Sequence, residues 1–264
     1  MAAAASVLLS ADVLNRVCQW LKKSRSLLFI TGAGISADSG LPTYRGIGGL
    51  YNQETTTEGI SIEEAISGEM LQARPEVTWK YILQIERACR TAGFNRAHAV
   101  IAEMEKVFER VWVLTQNIDG FHQAAGSKNV IDIHGDIHDL RCLSCTYRVR
   151  VTDYSNLKGL PPRCPQCGGV LRPEVVLFGE MLPADKLAAL ERAWQQGFDM
   201  VFSVGTTSVF PYIARPVVEA RRRGIPTVEI NPGRTQVSDL VDLKIAGTAA
   251  VTLEQIWSGY HGKS

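Results

Sequence analysis

The apolar run Leu27-Leu28-Phe29-Ile30-Thr31 ends abruptly on Gly32-Ala33-Gly34-Ile35-Ser36-Ala37, and this junction limits the folds open to the chain. A short apolar stretch bounded by a turn former reads as a buried strand of a parallel sheet, because a strand covered on both faces has no polar side to show. The residues after it have the form Gly-x-Gly-x-x-Ala at the expected start of a helix. Glycines there permit a tight turn and close backbone approach to a pyrophosphate, and the free N–H groups of the helix start face the phosphates. A tight turn with no ligand is the plainer alternative. Similar runs occur at 111–115, 200–204 and 226–230, beside helical patterns at 184–196 and 211–222. Residues 11–24 place Val13, Leu14, Val17 and Leu21 at helical spacing. Strands alternating with helices predict an α/β fold, a parallel sheet with helices on both faces.

Two stretches break this rhythm. Residues 46–95 hold a glycine-rich loop followed by helical patterns, and residues 138–173 hold Cys142, Cys145, Cys164 and Cys167 among the turn formers Pro161-Pro162 and Gly168-Gly169. The expected division is a dinucleotide-binding domain from 1–45, 96–137 and 174–264, with 46–95 and 138–173 forming a smaller inserted domain. A chain of 264 residues, 45% of them hydrophobic, has the length for both.

Four of the six cysteines fall in two Cys-x-x-Cys pairs. In a long chain whose first residues, Met1-Ala2-Ala3-Ala4-Ala5-Ser6, lack a basic leader, such pairs read as metal ligands, not disulfides. Four thiolates close a tetrahedral zinc site and leave no position for a reactive water, so the metal is expected to be structural. The net charge of +1 gives no global attraction to nucleic acid or to an anionic membrane. The basic run Arg221-Arg222-Arg223 is best placed at a helix C-terminus, where cations complement the dipole. No apolar run approaches the ~20 residues of a membrane span. The expectation is a cytoplasmic protein with neither nucleic acid nor membrane as a partner.

Further polar groups gather at expected strand ends, where open α/β sheets bind ligands. Gln116-Asn117-Ile118-Asp119 follows the run at 111–115. Ile118 suits a wall for a flat ring such as nicotinamide, and Asp119 suits its carboxamide; capping of the next helix by Asn117 or Asp119 is the alternative. His134, in Ile131-Asp132-Ile133-His134-Gly135, is a candidate general base or a structural histidine. A hydride-transferring dehydrogenase carries an acidic residue about 20 residues beyond the first glycine. Here that region reads Thr43-Tyr44-Arg45-Gly46-Ile47-Gly48-Gly49, which speaks against an oxidoreductase. Asn231, after Glu229-Ile230, is the candidate ribose contact instead.

Taken in order, the stretch from Gly32 to Pro42, Thr115-Gln116-Asn117-Ile118-Asp119, Ile133-His134-Gly135, the four cysteines, Arg172-Pro173 with Phe178-Gly179-Glu180, Gly205-Thr206-Thr207-Ser208 and Asn231 resemble the sirtuins over nearly the whole chain. The resemblance implies a Rossmann-like large domain and a small domain of zinc ribbon plus helical module. It implies NAD as a consumed co-substrate, one structural Zn²⁺ and acylated lysine proteins or peptides as partners. It implies catalysis by His134 and Asn117, and cofactor binding by Gly32, Ala33, Gly34, Ser36, Asp38, Tyr44, Arg45, Gln116, Ile118, Asp119, Gly205, Thr206, Ser208, Asn231 and Ala249. The backbone of Val176, Gly179 and Glu180 would pair with the substrate peptide, and Phe178 would line the acyl-lysine tunnel. Such a protein releases nicotinamide and O-acyl-ADP-ribose. The expected state is a monomer.

One departure bears on specificity. The desuccinylating branch, close to this chain in the zinc region, carries a Tyr-x-x-Arg pair for an acidic acyl group; Ile82 and Ile85 occupy those positions here, and a register shift of one gives Tyr81 and Gln84. Neither placement supplies a cation, so neutral acyl groups are expected. Mono-ADP-ribosyl transfer, longer-chain or succinyl deacylation and an NAD-sensing module without turnover are the competing readings.

Overall fold

The computed structural model describes residues 8–42 and 56–262. Helix α1 (Ala11–Lys23) starts where the Ser10 hydroxyl accepts the Val13 N–H, and it ends on Lys22 and Lys23, which complement the carbonyl end. Strand β1 (Ser26–Thr31) follows. The helix expected after the glycine loop is only one turn, α2 (Ala33–Ser36), continued by a 3₁₀ turn at Ala37–Ser39 and stopped by Gly40 at φ 85°. Next come α3 (Ile62–Ala65), α4 (Gly68–Ala73) and α5 (Pro75–Thr91), the last opening on proline, whose missing N–H costs nothing at the first helical position. Helix α6 (Arg96–Met104) is fixed by reciprocal caps: the Asn95 side chain accepts the Ala97 N–H, and His98 Nδ1 accepts the Asn95 N–H. The chain continues through β2 (Arg110–Thr115), α7 (Phe121–Ala124), β3 (Val130–Asp132), β4 (Gly135–Cys142), β5 (Arg148–Arg150), β6 (Leu171–Val175) and α8 (Ala184–Gln195). It closes with β7 (Met200–Val204), α9 (Pro211–Arg222), β8 (Thr227–Ile230), β9 (Leu243–Ile245) and α10 (Ala249–Tyr260).

Six strands form one parallel sheet in the order β3-β2-β1-β7-β8-β9. The apolar runs of the sequence are β1, β2, β7 and β8, and β7 is buried at every position. Alternate side chains build the two faces. Leu27, Phe29, Val113 and Phe202 pack beneath α1, α6 and α10, with the Phe29 and Phe202 rings stacked 4.7 Å apart. Leu28, Ile30, Leu114 and Val201 pack beneath α8 and α9. The chain leaves β1 toward β2 and β3, then returns to its other side at β7. This reversal opens a crevice at the carboxyl ends of β1 and β7, where such sheets take ligands.

A second, antiparallel sheet, β5-β4-β6, shares a core with the short helices. Trp79 and Ile82 of α5 pack with Ile137 and Leu140 of β4 and with Leu171 and Val175 of β6. Trp79 Nε1 donates to the Leu171 carbonyl at 2.8 Å, satisfying the one polar atom of that buried ring. The sheet lies between residues 135 and 175.

His98 and His122 lie edge to face in the core, ring centres 4.9 Å apart, with His98 Nε2 and His122 Nδ1 lacking partners among the described residues. Burial lowers His98 to about 4 and His122 well below its ordinary value. Both are neutral when folded but titrate near 6.5 when unfolded. The stability this lends above pH 6.5 is therefore lost as pH falls through the window toward 4. His98 alone should cost about 2 kcal/mol by pH 5. Urea midpoints from pH 7.5 to 5 should fall for the wild type and fall less steeply for His98→Gln; equal slopes would remove His98 as a cause.

Candidate active site

The floor of the crevice is two interlocked glycine loops. Gly34 donates its N–H to the Gly205 carbonyl at 2.8 Å, and Gly32 donates to the Val204 carbonyl at 3.2 Å. A Cβ on Gly34 would stand 2.6 Å from Gly205 Cα, and one on Gly32 would stand 2.8 Å from Thr206 Cβ. Gly205 has φ 60°, where only glycine is unstrained. The glycine pattern therefore closes the β1 and β7 loops on each other before any ligand is considered, and it leaves bare backbone at the cleft.

Asn117, Ser36 and Asp119 form a directional chain. Asn117 Nδ2 donates to the Gly32 carbonyl at 3.2 Å and to Ser36 Oγ at 3.1 Å. Ser36 Oγ donates in turn to Asp119 Oδ2 at 2.8 Å. Asp119 Oδ1 accepts the Phe121 N–H at 3.0 Å, so the carboxylate also caps the following turn. Burial pushes the Asp119 carboxyl up, partly offset by these hydrogen bonds. Ser36, Asn117, Ile118 and Asp119 surround a small side pocket with Ala33, Ile85 and Cys89.

His134 stands between β3 and β4. Its Nδ1 is 3.0 Å from the Gln116 carbonyl, which can only accept, so Nδ1 carries the proton and Nε2 the lone pair. Nε2 lies 2.6 Å from the Tyr212 hydroxyl. Burial lowers the His134 pKa, with the Gln116 carbonyl opposing. Gln116 itself is oriented by Nε2 donating to Thr206 Oγ1 at 2.7 Å.

The cleft holds about 780 Å³. On the large-sheet side its lining includes Gly32, Ala33, Gly34, Asp38, Gln116, Asn117, Ile118, His134, Gly205, Thr206, Asn231 and Ala249. Toward the small sheet it includes Ile82, Ile85, Val176, Phe178, Gly179 and Glu180. Several of these also have structural duties. Asp38 caps α10 through the Ala250 N–H at 2.8 Å. Asn231 bridges the Thr206 carbonyl and the Gly233 N–H at 3.1 and 3.0 Å. Val176 gives its N–H to the His134 carbonyl at 2.8 Å, so its carbonyl is what remains for an added strand. Phe178 is tied by its backbone to Ile66 and Gly68. Glu180 accepts two bonds from buried Arg172, at 2.5 and 2.9 Å, and one from the Leu177 N–H. Burial pushes the Glu180 carboxyl up, but these partners more than offset it and hold it low.

Ser208 does not line the cleft. It is buried at φ 54°, its hydroxyl without a partner among the described residues, while Thr207 reaches the lining in its place. Tyr44 and Arg45 lie outside the described residues. The sequence reading missed Phe210 and Tyr212, which the lining includes; aromatic residues flanking Pro211 after the Gly205 loop were the available signal.

The four cysteine sulfurs converge within 4.8 Å of one another. Cys142 Sγ is 3.4 Å from Cys167 Sγ, and Cys145 Sγ is 3.7 Å from Cys164 Sγ. Thiolates on a tetrahedral zinc, at Zn–S of about 2.3 Å, stand about 3.8 Å apart. The Ser144 and Gln166 N–H groups donate to Cys142 and Cys164 at 3.3 and 3.4 Å, as knuckle turns that hold thiolates do. The donor set fits a closed structural zinc site.

A parallel sheet with a glycine-floored crevice, a fixed histidine at its edge and a Cys₄ knuckle on an attached small sheet define a nucleotide-dependent α/β enzyme with a zinc ribbon. Comparison with known proteins gives the family. Residues 32–211 match the Sir2 family. The chain is 50% identical over 251 residues to NAD-dependent protein deacylase 2 of Pseudomonas aeruginosa, covering 94% of this chain and 98% of that one. A crystal structure of a Sir2 homolog–NAD complex aligns with TM-score 0.81 and 33% identity over 97% of this chain and 96% of the other. A Sir2 variant with a deacetylated p53 peptide and 3′-O-acetyl-ADP-ribose aligns with TM-score 0.80 and 28% identity over 92% and 96%. The chain belongs to the Sir2 family.

Proposed function

We infer that this chain is an NAD-dependent protein lysine deacylase that acts on neutral acyl groups, consuming NAD and releasing nicotinamide and O-acyl-ADP-ribose. The observation that carries the reading is His134: a neutral imidazole lining a cleft floored by the interlocked glycines, with its proton fixed on Nδ1 and its Nε2 left as the acceptor, now facing the Tyr212 hydroxyl. The Asn117–Ser36–Asp119 chain commits both donors of Asn117 and leaves its amide oxygen for ligand. In the proposed sequence, Gly32, Ala33, Gly34 and Gly205 hold the pyrophosphate, Asn231 the adenosine ribose, and Ile118 with Asp119 the nicotinamide. The acyl carbonyl oxygen attacks the anomeric carbon as nicotinamide leaves. His134 Nε2 then takes the proton of a ribose hydroxyl, whose oxygen attacks the alkylimidate carbon, and water releases the deacylated lysine. The four cysteines hold zinc, which supplies folding energy to the small domain and takes no part in the reaction. We also propose that the protein is a cytoplasmic monomer, and that 46–95 and 138–173 make up the small domain. Among the described residues, no helix is long and apolar enough to cross a membrane.

The acyl side of the cleft supports the neutral preference. Ile66, Ile82, Ile85 and Ile137 line it. Tyr81 points away, its hydroxyl bonded to Glu58 and its ring beneath Lys80, and Gln84 is exposed. Among the described residues on this side of the cleft, a carboxylate has no charge-assisted partner except after breaking the Arg172–Glu180 pair, a cost of several kcal/mol. With matched peptides, kcat/KM for acetyl-lysine should exceed that for succinyl-lysine by about 100-fold or more. Equal or better turnover of the succinyl peptide would refute the assignment of the isoleucines to the acyl pocket.

A further inference from the structure

The Tyr212 hydroxyl occupies the lone pair that the proposed base needs. Tyr212 lies in the first turn of α9, and its ring stacks on that of Phe210, centres 5.5 Å apart and 15° from parallel. The His134 ring stands edge-on to both, at 6.1 Å from Phe210 and 6.0 Å from Tyr212. Nδ1 is bound to the Gln116 carbonyl, so Nε2 is an acceptor and the phenol at 2.6 Å must be the donor. Burial raises the Tyr212 phenol to about 12, which keeps it protonated and donating. An imidazole nitrogen has one in-plane lone pair. A ribose hydroxyl that is to give its proton to Nε2 has to come to the place where the phenol now sits.

We propose that Tyr212 is a positioning residue that latches His134: its hydroxyl holds the imidazole in place with Nε2 as acceptor, and the ribose hydroxyl displaces it when substrates bind. This deepens the deacylase reading and rests on it. No redox change or further group transfer is involved. One hydrogen bond to Nε2, from phenol, is exchanged for another, from ribose, and the proton that His134 later takes comes from the ribose. By donating to Nε2 of the neutral ring, the latch disfavours protonation of the resting base.

The test is Tyr212→Phe, which keeps the stack on Phe210 and removes only the hydroxyl. The phenol donates to the neutral form of His134, so its loss lets His134 protonate at higher pH. Among the described residues the ring has no charged hydrogen-bond or ion-pair partner: Gln116 contributes a carbonyl, Phe210 before α9 contributes its ring and Tyr212 the phenol, and Asp132 on β3 is closed in an ion pair with Lys186 of α8 at 2.6 Å. The shift should therefore report the phenol alone. Two readouts separate the possibilities. NMR titration of ¹³C-labelled histidine in the ligand-free protein, with His134 assigned from the His134→Ala spectrum, should place the variant's His134 about half a unit to one unit above wild type. The acidic limb of kcat/KM for an acetyl-lysine peptide should move up by the same amount, and above that limb kcat/KM should rise by about 2- to 10-fold because nothing has to be displaced. An unmoved His134 titration, with an unchanged melting temperature, overturns the latch. A titration that moves while the activity limb stays overturns His134 as the base, and with it any part for Tyr212 in turnover.

Discussion

His134→Ala is expected to lower kcat/KM for an acetyl-lysine peptide by about 100- to 10,000-fold, while exchange of labelled nicotinamide into NAD persists in the presence of that peptide. The two reactions divide at the step where His134 acts. Nicotinamide departs when the acyl oxygen attacks the anomeric carbon, and neither event needs a proton removed by an imidazole. The ribose hydroxyl attack that follows does need one. The geometry fits this later task. Nδ1 is tied to a carbonyl that fixes the tautomer, and burial lowers the pKa, so the ring is already neutral at pH 7. The activity limb of the wild type should accordingly lie below the ordinary histidine value of about 6.5. Both readouts come from one set of assays, product formation by chromatography and isotope incorporation into NAD. Loss of exchange together with deacylation, in a protein that still melts normally, would move His134 from base to substrate positioning.

The readability of this site from sequence varied with the kind of constraint each residue meets. The glycines of the β1 loop were legible because a tight turn after a buried strand restricts residue type at fixed offsets. Their partner was not: nothing local says that Gly34 must pack on Gly205 Cα, 171 positions away, which depends on β1 and β7 being neighbours. Strand runs were legible for the same local reason, since β1 and β7 are covered on both faces and are almost wholly apolar, with Ser203 the one polar residue inside β7. The helix expected after the glycine loop is a short one. The chain stops after one α turn and a 3₁₀ turn at Gly40, and Asp38 is spent capping the distant α10.

Side-chain partnerships were least legible. Asp119 was open between capping and ligand binding, and the structure shows why periodicity could not decide: one carboxylate oxygen caps Phe121 and the other receives Ser36. Ser208 carried a family motif position, yet its left-handed backbone turns the residue into the core and offers Thr207 to the cleft. Tyr212 gave no signal beyond being aromatic in the first turn of a helix. Its contact with His134 spans 78 positions and exists only because α9 follows β7 on the face where β3 also ends.

The second large effect concerns the zinc ribbon. Cys142→Ser or Cys164→Ala is expected to abolish stoichiometric zinc and to unfold the unit formed by β4, β5, β6 and α5. The reason is energetic and local. Binding of structural zinc contributes about 10–16 kcal/mol of apparent free energy in small zinc modules, more than a small sheet can replace by burial. Strand β5 is three residues long and largely exposed, and the turns at both Cys-x-x-Cys pairs are held by N–H groups donating to sulfur. Without the metal, four thiols brought within 4.8 Å have little to keep them there. The loss should spread further, because Cys142 and Cys164 belong to the same core as Trp79, Ile82 and Leu171, and Ile82 lines the acyl side of the cleft. Deacylation should therefore fall with the zinc even though the metal touches no reacting atom. The large sheet has its own cores and should persist, so thermal melting should split into an early transition that chelator reproduces in the wild type and a later one that it leaves alone. Metal content by atomic emission, melting and activity on one preparation decide the matter: a zinc-free Cys164→Ala protein with wild-type melting and full activity would show that the four cysteines do not hold the small sheet together.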